Sequence, residues 1–260
     1  LLLTTLHQNF NAYSRKLNEV QKEEWTKVKG RFQELVFVEP IEQLLYLAST
    51  QIDASRTMQN DDSVIESLAS LAKKTGFVSQ NFSEATALAL APLEPFAAYV
   101  ITQAIQRYGQ NERSLFSFLN ARGRNSLSEY EGKIYQLQCC YDYIYYNFYS
   151  YLKEANADSM QWSSMQVAIE RVEGQLWETK TDLVDAIKLV KAIGLLNLFG
   201  NASFKMNRED TALYAKTALN IENPTGLLKK LEQFKIIRYA TYKFRYILFD
   251  GTDINIEDEI

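Results

Sequence analysis

The sequence predicts a mainly α-helical chain that closes in a small β-hairpin. Three observations carry this. Gly and Pro are sparse, 10 and 4 in 260 residues, which suits long helices better than the many tight turns of a sandwich. Apolar residues recur at three- and four-residue spacing through most of the chain. Only near the end do two short aromatic and β-branched runs, Ile236–Tyr239 and Phe244–Phe249, face each other across a short turn, as hairpin strands do.

Taken in order, Leu1–Leu6 is an apolar run with the pattern of a strand buried on both faces, which needs neighbouring strands; we expect a piece of a longer protein. Phe10, Tyr13, Leu17, Val20, Trp25 and Val28 then predict an amphipathic helix ended by Gly30. Leu35–Val38 reads as a second short strand. Glu39-Pro40 opens a helix carrying Ile41, Leu44, Leu45, Ala48 and Ile52. Residues 53–62 read as a loop, and Ser63 is the expected cap of a helix ending before Gly76. A short helix is expected from Ser83, and Pro92 and Pro95 lead into another that reaches Tyr108.

Gly109–Leu119 reads as a loop entering a helix, with Asn111 as N-cap and Leu115, Phe118 and Leu119 on the buried face. Arg113 is the misfit. A cation in the first turn opposes the helix dipole, but it suits an anion such as phosphate beside unpaired backbone N–H groups; pairing to a surface carboxylate is the alternative. Residues 126–153 predict one long aromatic helix opened by a Ser126/Glu129 capping box. Its tyrosines between Tyr141 and Tyr151 are expected to pack, because a nucleic-acid stacking platform would interleave Lys or Arg and this run holds only Asp142. A helix over 161–177 follows. Helices from Thr181 or Asp182, from Asn207 (with Asp210 in a capping box) and from Asn223-Pro224 then precede the hairpin, the order of a winged helix.

Composition narrows the chemistry. A hydrophobic share of 47% with 23% charged residues is that of an ordinary globular protein. A net charge of −4 argues against nucleic-acid binding by the surface as a whole. No apolar run reaches the roughly 18 residues of a membrane span, so no membrane partner is expected. Cys139 and Cys140 are the only cysteines and His7 the only histidine. That leaves no disulfide framework and no zinc site, and it fits a reducing cytoplasm. The one basic cluster is Lys229, Lys230, Lys235, Arg238, Lys243 and Arg245 against Glu232 alone. It suits a DNA backbone, although a solvated hairpin or a protein-docking surface accounts for it equally well, and acidic residues follow from Asp250.

No G-x-x-x-x-G-K-[ST] or G-x-G-x-x-G loop occurs. Three stretches in order nonetheless resemble the carboxyl half of an AAA+ (P-loop) ATPase. Leu1–Leu6 followed by His7-Gln8 is similar to the strand ending in the sensor-1 residue. Gly30-Arg31-Phe32 before Val36–Pro40 resembles the arginine-ended helix, strand and lid entry. Gly109-Gln110-Asn111-Glu112-Arg113 with Leu115 and Leu119 resembles the sensor-2 helix. The wording is closer still to large bacterial ATP-binding proteins, including those of phage-defence systems.

The resemblance implies a remnant of a nucleotide-binding domain over 1–38, a helical lid over 39–122, a helical extension over 123–178 and a winged helix over 179–260. It implies ATP and Mg²⁺ as cofactors of the intact protein, with Arg113 and Asn111 at the phosphates. Arg31 would act as a finger toward a neighbouring subunit, or else cap its own helix. His7 or Gln8 would orient water, with a packed His7 as the alternative. Without Walker A and B motifs, these residues would not hydrolyse ATP unaided. The expected partners are DNA through the winged helix, or a protein, including self-association. The competing expectation is a non-catalytic winged-helix module that binds DNA or protein.

Overall fold

The computed structural model describes residues 17–33, 40–52, 61–109, 115–120, 123–153 and 157–249, in two compact units, Leu1–Pro40 and Ile41–Ile260. In the first unit the described element is α1 (Glu19–Lys29). Asn18 Oδ1 accepts from Gln21 N–H at 2.9 Å and Gln21 Oε1 accepts from Asn18 N–H at 3.2 Å. This reciprocal box starts α1 at Glu19, within the span that the apolar spacing from Phe10 predicts, by satisfying two donors at the helix end. The strand-like runs at 1–6 and 35–38, the loop at 53–60 and residues 10–16 lie outside the described residues.

The second unit holds α2 (Ile41–Ser49), α3 (Asp62–Lys74), α4 (Glu84–Ala89), α5 (Pro95–Tyr108), α6 (Leu115–Asn120), α7 (Leu137–Asn147), α8 (Tyr149–Lys153), α9 (Ser159–Glu173), α10 (Lys180–Phe199), α11 (Arg208–Thr217) and α12 (Pro224–Gln233). An antiparallel hairpin follows, β1 (Ile237–Ala240) and β2 (Arg245–Leu248), in register Ile237↔Leu248 to Ala240↔Arg245. The two most buried helices organise the rest. α5 packs on α2, α3, α7 and α10, while α10 packs on α7, α9 and β2. Gly194 lets α9 and α10 approach closely, since a Cβ there would run into the Met165 thioether.

Several helix starts follow their caps. Ser83 caps α4 through Thr86 N–H, and Asn223 caps α12 through Gly226 N–H. Asp61, rather than Ser63, caps α3, accepting from Ser63 N–H. Thr179 and Asp182 form a capping box that starts α10 at Lys180, and α9 runs Ser159–Glu173, ahead of the predicted span. At α11, Asn207 accepts from Asp210 N–H.

The predicted single helix over 126–153 is the main correction. Ser126 precedes only a 3₁₀ turn, Leu127–Glu129, and makes no side-chain cap bond to it. Tyr135 holds the next segment out of helix. Its N–H donates to Pro92 O at 2.7 Å, its hydroxyl donates to Asn125 O at 2.5 Å, and it bridges Leu93. Burial of the ring at 1% exposure outweighs local helix propensity. Phe148 then breaks the helix between α7 and α8, its ring buried near Tyr108 and Tyr143. Of the tyrosines in this stretch, Tyr141 and Tyr143 are buried, whereas Tyr146 and Tyr149 are exposed.

The last three helices and the hairpin close together. Met206, in the α10–α11 connection, donates its N–H to Phe244 O at 2.9 Å, beside the start of β2. The turn is a 3₁₀ segment, Thr241–Lys243, followed by Phe244 at φ 51°, ψ 42°. No Gly occupies that left-handed position, so a bulky residue does, at a cost of about 1–2 kcal/mol.

Candidate functional site

The residues expected at a nucleotide divide by region. His7, Gln8, Asn111 and Arg113 lie outside the described residues. Leu115, Phe118 and Leu119 just beyond them are buried, as the sequence predicts for that helix face. Arg31 stands two residues past the end of α1. Its backbone N–H donates to Val28 O at 3.0 Å and its side chain is exposed. Among the described residues, no group of three or more His, Cys, Asp or Glu could hold a metal ion. Neither cysteine is an activated nucleophile, since burial raises both thiol pKa values, that of Cys140 well above the ordinary range.

The expected DNA-contacting cations separate into committed and outward groups. Lys230 is committed: Nζ lies 3.1 Å from Glu178 Oε1 and 5.2 Å from the centre of the Trp177 ring. Arg245 is committed more deeply. Its Nη1 donates to Phe204 O at 3.3 Å and its guanidinium rests 5.2 Å from the Phe204 ring. Nε is buried without a protein partner, and desolvation lowers the side chain's pKa. Arg238 is half-buried on β1, whereas Lys229 on α12 and Lys243 at the turn are exposed. Lys243 Nζ sits 5.4 Å from the Tyr242 ring.

Two cations that sequence reading does not single out matter here. Arg208 opens α11, with Nη1 2.9 and 3.0 Å from the two Glu232 carboxylate oxygens and 2.8 Å from the Tyr246 hydroxyl. Its guanidinium also lies 4.5 Å from the Tyr239 ring, so one side chain ties α11, α12 and both strands. The hydrogen bond to Glu232 raises its pKa further. Lys205 Nζ lies 5.3 Å from the Phe244 ring. Neither has a local sequence signal, because their partners stand 24 to 39 residues further along the chain.

A seam joins this end assembly to the earlier helices. Lys74 Nζ meets Asp210 Oδ1 at 2.6 Å. Lys205 N–H donates to Thr75 O at 2.9 Å, and Asn201 Nδ2 donates to Gly76 O at 3.0 Å. The deepest link is Glu94, which is fully buried. Its carboxyl accepts from Phe96 N–H at 2.8 Å and Ala97 N–H at 3.1 Å, capping α5, and from the Tyr214 hydroxyl of α11 at 2.9 Å. Desolvation pushes its pKa up to about 8, against the pull of those three donors. The one available signal was an acid directly before the Pro that opens a helix. No protein-family model, curated protein or solved structure matches the chain.

Proposed function

We propose that the chain is the carboxyl-side part of an AAA+-like P-loop ATPase whose winged helix, residues 179–260, docks on DNA. ATP and Mg²⁺ would be held by a P-loop supplied outside these residues. Arg113 and Asn111 would meet the phosphates, Arg31 would reach a neighbouring subunit, and His7 or Gln8 would orient water. The order of the three sequence motifs supports the nucleotide half. An exposed Arg31 just beyond the end of α1 is compatible with a finger.

The observation that carries the mechanical half is the seam. Lys74–Asp210, Lys205–Thr75, Asn201–Gly76 and Glu94–Tyr214 fasten α3 and α5, in the expected lid, to α11 and its entry. A lid displaced by nucleotide would therefore carry the winged helix with it. Three helices, a hairpin and the Met206–Phe244 bond support the winged-helix assignment.

In the intact protein, Arg113→Ala lowers ATP turnover on the order of tenfold or more; a wild-type rate removes Arg113 from the site. For the 260-residue chain, affinity for duplex DNA falls steeply as salt rises, and Lys229→Ala flattens the salt dependence by about one counterion. The exposed Lys229 and Lys243 also serve a second reading, a non-catalytic winged-helix module. Salt-independent binding would assign that module to a protein partner instead.

A further inference from the structure

The hairpin tip carries features that folding does not require. Tyr242 and Phe244 are 68% and 53% exposed. Each ring has an ammonium beside it, Lys243 on Tyr242 and Lys205 on Phe244. Phe244 also occupies a left-handed backbone position where Gly or Asn would be unstrained. Other exposed rings, such as Tyr146 beside Arg124 and Tyr149 beside Lys153, also stand next to a cation, but at the hairpin tip two such rings fall within three residues of chain and one of them sits on a left-handed backbone.

We propose that this tip is a stacking site for unpaired nucleic-acid bases. Tyr242 and Phe244 would present ring faces to successive bases, while Lys205 and Lys243 meet the flanking phosphates. The inference rests on the nucleic-acid docking proposed above and specifies what the tip reads. Rings beside cations are what single-strand binders use, because every base has a π-face. Inside an intact duplex those faces are already stacked and only base edges are presented. The preferred ligand is therefore a single strand or the open arms of a fork, and an acidic polypeptide would use the lysines while leaving the rings idle.

The experiment is equilibrium binding of the 260-residue chain to a labelled oligothymidylate, a forked duplex and a blunt duplex of matched length, with polyglutamate as the protein-like control. Wild type binds the oligothymidylate and the fork more tightly than the blunt duplex. Tyr242→Ala weakens both by roughly tenfold and leaves the blunt duplex unchanged. Phe244→Asn gives the same loss without lowering the melting temperature, since Asn tolerates the left-handed backbone; this separates ring chemistry from folding. Salt-dependent blunt-duplex binding with no preference for the fork and no effect of Tyr242→Ala overturns the stacking site while sparing the docking function. Failure to bind any of the three DNAs overturns both. Polyglutamate binding that depends on Tyr242 overturns the nucleic-acid assignment.

Discussion

At the head of α5 a carboxyl lies among rings with no exposed surface, its oxygens taken by two backbone N–H groups and the Tyr214 hydroxyl. At residues 241–244 two ammonium groups stand beside two rings in open solvent. Both places set an ionisable group among aromatics. In the first, low dielectric makes the ionised form expensive, so the carboxyl keeps its proton until about pH 8. In the second, water screens the charge, and the rings contribute little to folding while staying available to a ligand. Burial, rather than residue type, decides whether such a pairing is held in the scaffold or left at the surface.

The largest expected effect breaks the buried half of the comparison by pH. Glu94 binds its proton more tightly in the folded than in the unfolded chain, with its pKa raised from 4.5 to about 8. The folded state therefore holds more protons between those values, and stability falls as pH rises from 4.5 through about 8. The loss from this group is at most about 5 kcal/mol. Urea unfolding across that range measures it, and Glu94→Gln should flatten the slope. A wild-type slope unchanged by the substitution would mean that the carboxyl is not held in its proton-bound form.

Next in size is the aromatic core. Phe118 is buried against Tyr135 and Tyr143, with ring centres 5.5 and 4.8 Å away, and Phe118→Ala should cost about 3–5 kcal/mol in the same assay. Tyr214→Phe sharpens the seam by removing a single donor to Glu94. We expect a loss of about 1–3 kcal/mol, greater above pH 8, where the carboxylate needs that donor most. Smallest is Tyr242→Ala at the tip, within about 0.5 kcal/mol of wild type. A large loss there would make the tip part of the scaffold and dissolve the contrast.

Much of the helical content was legible because its signals are local. Ser83, Asn207 and Asn223-Pro224 stand within a few residues of the backbone donors they satisfy or the turns they preset, whereas Thr179, the cap of α10, was passed over for Thr181 or Asp182. The hairpin was legible from two β-branched and aromatic runs, although its turn has no Gly. The long helix over 126–153 was misread because Tyr135 is pinned by Pro92 and Asn125, contacts that apolar spacing cannot report. The basic cluster was legible as composition and illegible as a surface. Lys230 pairs with Glu178 at the surface and Arg245 packs on Phe204, while Lys229 and Lys243 remain outward.

By itself, then, the sequence determined a mainly helical chain, the caps that start several of its helices, the closing hairpin and a stock of two cysteines and one histidine. Tertiary structure alone decided which charges are spent and which are free. Asp210 finds Lys74 across 136 residues and Tyr214 finds Glu94 across 120. Helix periodicity and capping act over three or four residues, whereas the desolvation that gives a buried charge its weight depends on every element packed around it.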